Sequence, residues 1–150
     1  MEERKEIVYS KFILSFNIIR IQHRLSLLYA MFQNLSLDKL QQDIVVHSFL
    51  EICRSVVNIG SALAISRIMY DREAIISLVD IGIMSEQDAE IFLEMLSFRD
   101  LYFADSIEFT NTKLEQFCLN SADEFDRFVF KIQELVGNYS LPKSDIERIT

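Results

Sequence analysis

A heptad repeat of apolar residues at the start of the chain predicts one long helix from about residue 3 to about residue 35. Successive members are separated by 7, 4, 3, 4, 3, 4 and 3 positions, and the seam is broken only at Lys11. Because an apolar seam of this kind must be covered, the helix needs neighbouring helices. The seam consists of Ile7, Leu14, Ile18, Ile21, Leu25, Leu28, Phe32 and Leu35.

The composition favours helices in the rest of the chain as well. Of the 150 residues, 50% are hydrophobic, while only 3 are glycine and 1 is proline. Apolar residues recur at helical rather than alternating spacing, which favours long helices joined by short turns. We therefore predict an all-α fold: an antiparallel up-and-down bundle of four to five helices in one domain at residues 1–137. Residues 138–150, which include Pro142, are predicted to be a polar C-terminal tail.

A second helix is predicted from residue 38 to residue 69, with Ser36 or Asp38 as its N-cap. It is apolar on two neighbouring faces, and both must be buried, either at the centre of the bundle or against a second subunit. Gly60 lies in its second half, where glycine costs about 1 kcal/mol relative to alanine. A neighbouring helix that approaches closely would explain this glycine.

Three further helices follow. Asp71 is the predicted N-cap of the third helix and Gly82 its C′ residue, Ser85 caps the fourth, and Thr110 or Asn111 caps the last. The predicted ranges are 72–81, 85–106 and 111–136.

Arg99 interrupts the apolar stripe of the fourth helix. The other members of that stripe are Ala89, Phe92, Leu93, Leu96 and Phe103. In one interpretation the stem of Arg99 packs along the helix while its guanidinium reaches water or pairs with a carboxylate. In the other, Arg99 is a functional cation held at a seam between helices.

Charge and cysteine content bear on partners and compartment. The net charge is −8 and the pI is near 4.7, which opposes non-specific attraction to nucleic acid. Cys53 and Cys118 fall within apolar helical patterns, which indicates reduced, buried thiols and a cytoplasmic protein. We expect no membrane segment, because no run of about 18 uncharged apolar residues occurs, and we see no signal-peptide pattern at the N-terminus.

The sequence contains no pattern typical of a metal or cofactor site. Neither His23 nor His47 has a cysteine or second histidine at ligand spacing, and no glycine-rich phosphate loop occurs. His47 is interpreted as a surface histidine on the polar side of the second helix. We therefore predict no cofactor and no metal.

Three segments resemble one family. Residues 49–60 read FLEICRSVVNIG, residues 72–85 read REAIISLVDIGIMS, and residues 95–100 read MLSFRD. On these segments, residues 16–136 resemble the HepT-like group of HEPN-domain proteins, small helical proteins found in pairs with minimal nucleotidyltransferases. In that family the last segment continues as arginine, a polar residue, three more residues, histidine, one residue and tyrosine.

The family motif is incomplete here. Arg99 and the polar Asp100 match it, whereas Ala104 stands at the histidine position and Ser106 at the tyrosine position. In complete members, the resemblance implies, arginine and histidine from two subunits meet across a dimer cleft and cleave RNA without metal, and the partner modifies the tyrosine. RNA cleavage needs a base for the ribose 2′-hydroxyl and a cation beside the phosphate, and alanine supplies neither.

Three functions remain open on this reading. We favour a homodimer that is catalytically weakened or inactive and binds a minimal nucleotidyltransferase in a toxin–antitoxin-like pair. The second is a metal-independent ribonuclease toxin that uses Arg99 as phosphate clamp and Asp100 or Asp105 as base, although an ordinary aspartate is a poor base and the net charge disfavours RNA. The third is a structural assembly module without chemistry. The candidate site residues are Arg99 and Asp100.

Overall fold

The fold is an all-α bundle, as predicted. The computed structural model describes residues 2–64 and 67–137, with side chains from residue 11 onward. These residues contain six helices and no strand. The helices are α1 (Glu2–Phe32), α2 (Lys39–Leu63), α3 (Asp71–Asp80), α4 (Glu86–Phe103), α5 (Asn111–Asn120) and α6 (Ala122–Val136). The predicted tail at residues 138–150 and the side chain of the seam residue Ile7 lie outside the described part.

The structure has one helix more than the predicted four to five, because the predicted last helix is divided at Ser121. This residue is buried and has φ −101° and ψ 9°, outside helical geometry. The bend lets Phe117 of α5 and Phe125 of α6 turn toward the core separately. The predicted end of the second helix at residue 69 was also wrong, because Ala64 has an extended backbone with ψ 136°.

Side-chain caps mark most helix starts where the sequence predicted them. Asp38 and Gln41 form a capping box, with N···O distances of 2.8 and 3.0 Å. Ser85 accepts a hydrogen bond from the Asp88 N–H at 3.0 Å, and Thr110 caps α5. The prediction for Asp71 was wrong: Tyr70 occupies the N-cap position of α3, and Asp71 is the first helical residue.

Two polar contacts join α1 to α2. Asn58 Nδ2 donates to Asn17 Oδ1 at 3.2 Å, and Arg20 forms an ion pair with Glu51 at 2.7 Å. Asn17 is buried, with 2% of its surface exposed. Arg20 follows Asn17 in α1, whereas its partner Glu51 precedes Asn58 in α2. The two helices therefore run antiparallel.

The helix α2 is covered by other helices of the same chain. It packs against α1, α3 and α4, and its residues Phe49, Ile52, Cys53, Val56 and Ile59 are almost fully buried. Half of its most apolar stretch is buried in the bundle, so although its length and composition alone would allow a membrane span, it is a core helix here. Of the two positions predicted for the second helix, the structure shows the one at the centre of the bundle.

Both cysteines are buried and free, as predicted. Burial raises the pKa of the Cys118 thiol to about 12 and raises the pKa of Cys53 as well. The thiols are therefore protonated and unreactive near neutral pH.

Aromatic rings connect α4 to the core, and further aromatic contacts surround the C-terminal end of this helix. Phe92 packs edge-on against Phe125, and Phe98 stacks on Phe117 with ring centres 6.0 Å apart. Phe98 also contacts Phe109, which in turn contacts Tyr102 at 5.1 Å. These contacts fix the last turns of α4 relative to α5 and α6.

Candidate functional site

The start of α3 and the last turns of α4 bring two complementary charged dipeptides together. One is Asp71-Arg72 and the other is Arg99-Asp100. The four side chains form one cluster of two cations and two anions, here called the ion-pair cluster. The predicted site residues Arg99 and Asp100 are therefore adjacent in space as well as in sequence.

Arg99 is held by two carboxylates. Its Nε and Nη2 donate to Asp100 Oδ1 at 3.2 and 2.9 Å, and its Nη1 donates to Asp71 Oδ2 at 2.6 Å. Only 14% of the Arg99 side chain is exposed, against 49% for Asp71 and 44% for Asp100. The guanidinium is thus enclosed at the helix seam while its anions face partly outward.

Arg72 closes the cluster from α3. Its Nη2 donates to Asp100 Oδ2 at 2.9 Å and to Ser97 Oγ at 3.2 Å. Asp100 therefore receives both arginines, one on each carboxylate oxygen. Two helices that are otherwise joined through apolar contacts are linked here by charge-assisted hydrogen bonds.

The arginines control the ionisation of Asp100. Burial acts to raise the pKa of this carboxyl, but the hydrogen bonds from Arg72 and Arg99 outweigh burial and hold the pKa below its ordinary value. For Arg99, burial is likewise outweighed by the hydrogen bonds to Asp100 and Asp71, which raise its pKa. Asp100 is thus a stable anion, and a weaker base than an ordinary aspartate.

The positions that follow α4 face the solvent. Ala104 is exposed at the C-cap, and Asp105 adopts a left-handed backbone with φ 54°. Within the described residues no hydrogen bond or ion pair joins Asp105 to Arg99. The Ser106 hydroxyl accepts a hydrogen bond from the Glu108 N–H at 3.1 Å. Of the two aspartates considered as bases, only Asp100 lies beside Arg99.

Large apolar side chains are exposed on the segments that carry the ion-pair cluster. Phe103, the last member of the apolar stripe of the fourth helix, is 66% exposed. The exposed residues of these segments, here called the apolar rim, are Met69, Tyr70, Tyr102, Phe103 and Ile107. Several large exposed apolar side chains on neighbouring segments indicate a surface that binds another protein.

Two cavities lie outside the cluster. One, of about 540 Å³, lies between the start of α4 and α6 and is lined by Phe92 and Phe128 among others. The other, of about 650 Å³, lies beside α2 and is lined by His47 and Tyr102 among others. Neither is lined by Arg99 or Asp100, and in the described part of the chain no group of three or more potential metal ligands occurs.

Sequence reasoning missed two members of the cluster. Asp71 was assigned to a helix cap, and Arg72 was quoted only as part of a resemblance. The available signal was the reversed pair of dipeptides, Asp-Arg at the start of one predicted helix and Arg-Asp near the end of the next. Opposite charges placed at corresponding ends of consecutive antiparallel helices can meet.

Comparisons with known proteins identify the fold. No family model matches the chain, and no curated protein matches it. Three solved structures are similar at 15% identity: a tri-AMPylated HEPN toxin of Shewanella oneidensis in complex with an MNT antitoxin, a mutant MntA–HpeT toxin–antitoxin complex, and a toxin–antitoxin with AMP-PNP. Their TM-scores are 0.74, 0.72 and 0.69; the matches cover 81%, 81% and 80% of this chain and 97%, 98% and 97% of those chains. The chain therefore has the fold of the HEPN toxins.

Proposed function

We propose that this protein is a HepT-like HEPN protein that works as a homodimer and binds a minimal nucleotidyltransferase in a toxin–antitoxin-like pair, with little or no ribonuclease activity. The observation that carries the proposal is the state of Arg99 on this fold. The motif arginine is paired with two carboxylates, and the position of the motif histidine is the exposed Ala104. The fold and the motif arginine are retained, but the arginine is compensated within the chain and the histidine is replaced.

The electrostatics of the ion-pair cluster support a loss of catalysis. A phosphate must find an uncompensated cation, but the two arginines and two aspartates of the cluster balance one another. Asp100 does not replace the missing histidine, because its pKa is lowered and a general base works best with a pKa near the operating pH. The ribonuclease alternative with Asp100 as base is therefore disfavoured.

The apolar rim supports the binding role and argues against a solitary structural module. Phe103 and Ile107 are 66% and 94% exposed, although other apolar residues of α4, such as Phe92 and Leu96, are fully buried. The stripes of α2 are covered within one chain, so the contact between subunits is proposed to use the end of α4 and the start of α3. A contact of this kind would enclose Arg99 further.

We also place the protein in the cytoplasm, where a nucleotidyltransferase partner and nucleotides are present. Two buried free thiols agree with a reducing compartment.

Co-purification tests the proposed partner. The full chain, untagged, is co-expressed with the nucleotidyltransferase encoded beside its gene, which carries the tag, and the complex is sized by light scattering. We expect a stable complex that contains two copies of this chain. Recovery of the two proteins separately under all ionic strengths would contradict the proposal, and absence of a neighbouring nucleotidyltransferase gene would weigh against it in the same way.

A matched pair of variants locates the contact. Tyr70→Asp changes the apolar rim, while Leu119→Asp changes an exposed apolar residue of α5. Both add one negative charge at a position that is at least 48% exposed. Loss of the complex only in Tyr70→Asp supports the proposed surface, and equal behaviour of the two variants contradicts it.

A further inference from the structure

The ion-pair cluster is asymmetric in how firmly its two anions are held. Asp100 accepts three hydrogen bonds from two arginines, whereas Asp71 accepts one, from Arg99 Nη1. Asp71 is also about half exposed and begins α3, so its side chain can leave the arginine by a change of rotamer. Asp71 is therefore the anion of the cluster that can be displaced.

The position of Asp71 is chemically suited to a phosphate group. Its carboxylate oxygen lies 2.6 Å from a guanidinium nitrogen, the distance at which a phosphate oxygen would bind. Arg72 follows directly in the chain, and no partner of its Nη1 or Nε is among the described hydrogen bonds. The start of α3 adds the positive end of a ten-residue helix. Arg99 thus contacts this position directly, while Arg72, which belongs to the same cluster, and the start of α3 add positive charge that favours a doubly charged oxyanion.

We infer that Asp71 is an internal occupant of a phosphate-binding position formed by Arg99 and Arg72, and that the position accepts a phosphate group when this carboxylate is removed or displaced. This inference rests on the proposed function for the identity of the site and adds how the site is kept closed. Asp71 acts as an autoinhibitory contact: it compensates Arg99 inside the chain and excludes external anions.

The charge of the cluster explains why a single substitution is sufficient. With both aspartates ionised, the two arginines are balanced. Asp71→Asn leaves an excess of one positive charge, and the amide is a weaker partner for Arg99 than the carboxylate. Glu73, also in the first turn of α3, remains negative, but its carboxylate accepts the Met69 N–H at 3.0 Å and makes no described bond to either arginine. The remaining field therefore favours an anion at Arg99.

Titration with inorganic phosphate tests the inference without RNA or a protein partner. The Arg99 side-chain Nε–H resonance, assigned by its loss in Arg99→Lys, is followed by NMR in wild type and in Asp71→Asn at constant ionic strength. We expect Asp71→Asn to bind phosphate at least about tenfold more tightly than wild type, from the change of one unit charge at contact distance. The binding should disappear in the double variant Asp71→Asn/Arg99→Lys.

Two further variants separate the position of the charge from its amount. Asp80→Asn removes one negative charge at the other end of the same helix, where the structure describes no hydrogen bond or ion pair of Asp80, and should titrate like wild type. Asp71→Glu keeps a carboxylate and should also titrate like wild type. If Asp71→Asn fails to fold by circular dichroism, Asp71→Ser serves in its place.

Equal titration of Asp71→Asn and Asp80→Asn would overturn the inference, as would wild-type binding as tight as that of Asp71→Asn. Either result would leave the proposed pairing with a nucleotidyltransferase unaffected. Conversely, failure of that pairing would leave a tighter phosphate site in Asp71→Asn intact, so the two failures are distinguishable.

Discussion

Gly60 of α2 lies directly against the backbone of Ala74 in α3. A Cβ placed on residue 60 would be 2.5 Å from the Ala74 carbonyl oxygen and 2.8 Å from its Cβ. No side chain fits at this distance unless the two helices separate. The predicted packing reason for this glycine is therefore confirmed.

Gly60→Ala should destabilise the fold. Alanine gains about 1 kcal/mol in helix propensity, but separation of two packed helices exceeds that gain, and we expect a net loss of about 1–3 kcal/mol in the free energy of unfolding. Urea denaturation measures it, with Ser61→Ala at the next, exposed position as the control. A variant as stable as wild type would contradict the observed contact.

Asp100 should make stability depend on pH in the acid range. Its pKa is lower in the folded chain than in the unfolded chain, so its contribution is fully present above the ordinary aspartate pKa of about 4 and is lost as the pH falls through the folded value. At pH 7, Asp100→Asn should cost about 1 kcal/mol, since the carboxylate is partly exposed. The difference from wild type should shrink from about pH 5 toward pH 2.

The matched control for Asp100→Asn is Asp105→Asn. Asparagine tolerates the left-handed backbone of residue 105, and no hydrogen bond of the Asp105 side chain is among those described. Its stability difference from wild type at pH 7 should stay small. A difference for Asp100→Asn that stays constant from about pH 5 to about pH 2 would refute the role of the arginines.

Dimerisation should depend on Phe103. Phe103→Glu places a charge in the apolar rim and should give a monomeric mass by light scattering at micromolar concentration. The control is Phe130→Glu on α6, whose side chain is 61% exposed against 66% for Phe103. Phe130 lines a cavity with Ser85 at the other end of α4, about 27 Å along this 18-residue helix. A monomeric wild type, or loss of the dimer in both variants, would count against the proposed surface.

RNA cleavage by wild type should be far slower than by a complete HEPN ribonuclease. Loss of a positioned base typically costs about 10²–10⁴-fold in rate. Ala104 is exposed at the end of α4, so a histidine fits there without displacing packed side chains. We therefore expect Ala104→His to cleave a mixed RNA faster than wild type in a time course when it is combined with Asp71→Asn, which removes the carboxylate that compensates Arg99.

Two controls interpret that experiment. Arg99→Ala in the Asp71→Asn/Ala104→His background should abolish the gain, since the cation beside the phosphate is then absent. Robust cleavage by wild type that is lost in Arg99→Ala alone would sink the claim of weakened catalysis and would favour the ribonuclease alternative.

The predictable part of the structure is the part set by local chemistry. The apolar spacing determined which segments form helices, and short polar side chains such as Ser85 and Asp38 determined where they start. The bend at Ser121 escaped prediction because the apolar spacing from Cys118 to Phe125 continues across it and no glycine or proline marks it. The end of α2 escaped for the same reason, since residues 64–69 contain no helix-breaking residue.

Of the four residues of the ion-pair cluster, only the two that lie in α4 could be predicted from the sequence. Arg99 stood out because it interrupts an apolar stripe, and Asp100 is its neighbour in the chain. The contact with Asp71 depends on how α3 packs against α4, which the turn through Gly82 at φ 79° determines. An aspartate at the start of a helix commonly caps the backbone N–H groups of that helix. Asp71 was therefore assigned to the cap of α3, whereas its carboxylate binds Arg99.

The polar contacts between α1 and α2 determine how these helices align lengthwise. A slide of one heptad would keep apolar residues opposite one another, but it would take Asn17 away from Asn58 and Arg20 away from Glu51. Asn17 Nδ2 would keep its bond to the Ile13 carbonyl oxygen, but the Oδ1 of this buried residue would lose the donor from Asn58, which costs about 1–3 kcal/mol. The α1–α2 hairpin, which is complete before the later helices are synthesised, therefore has a single favoured register on which the end of α4 can subsequently be positioned.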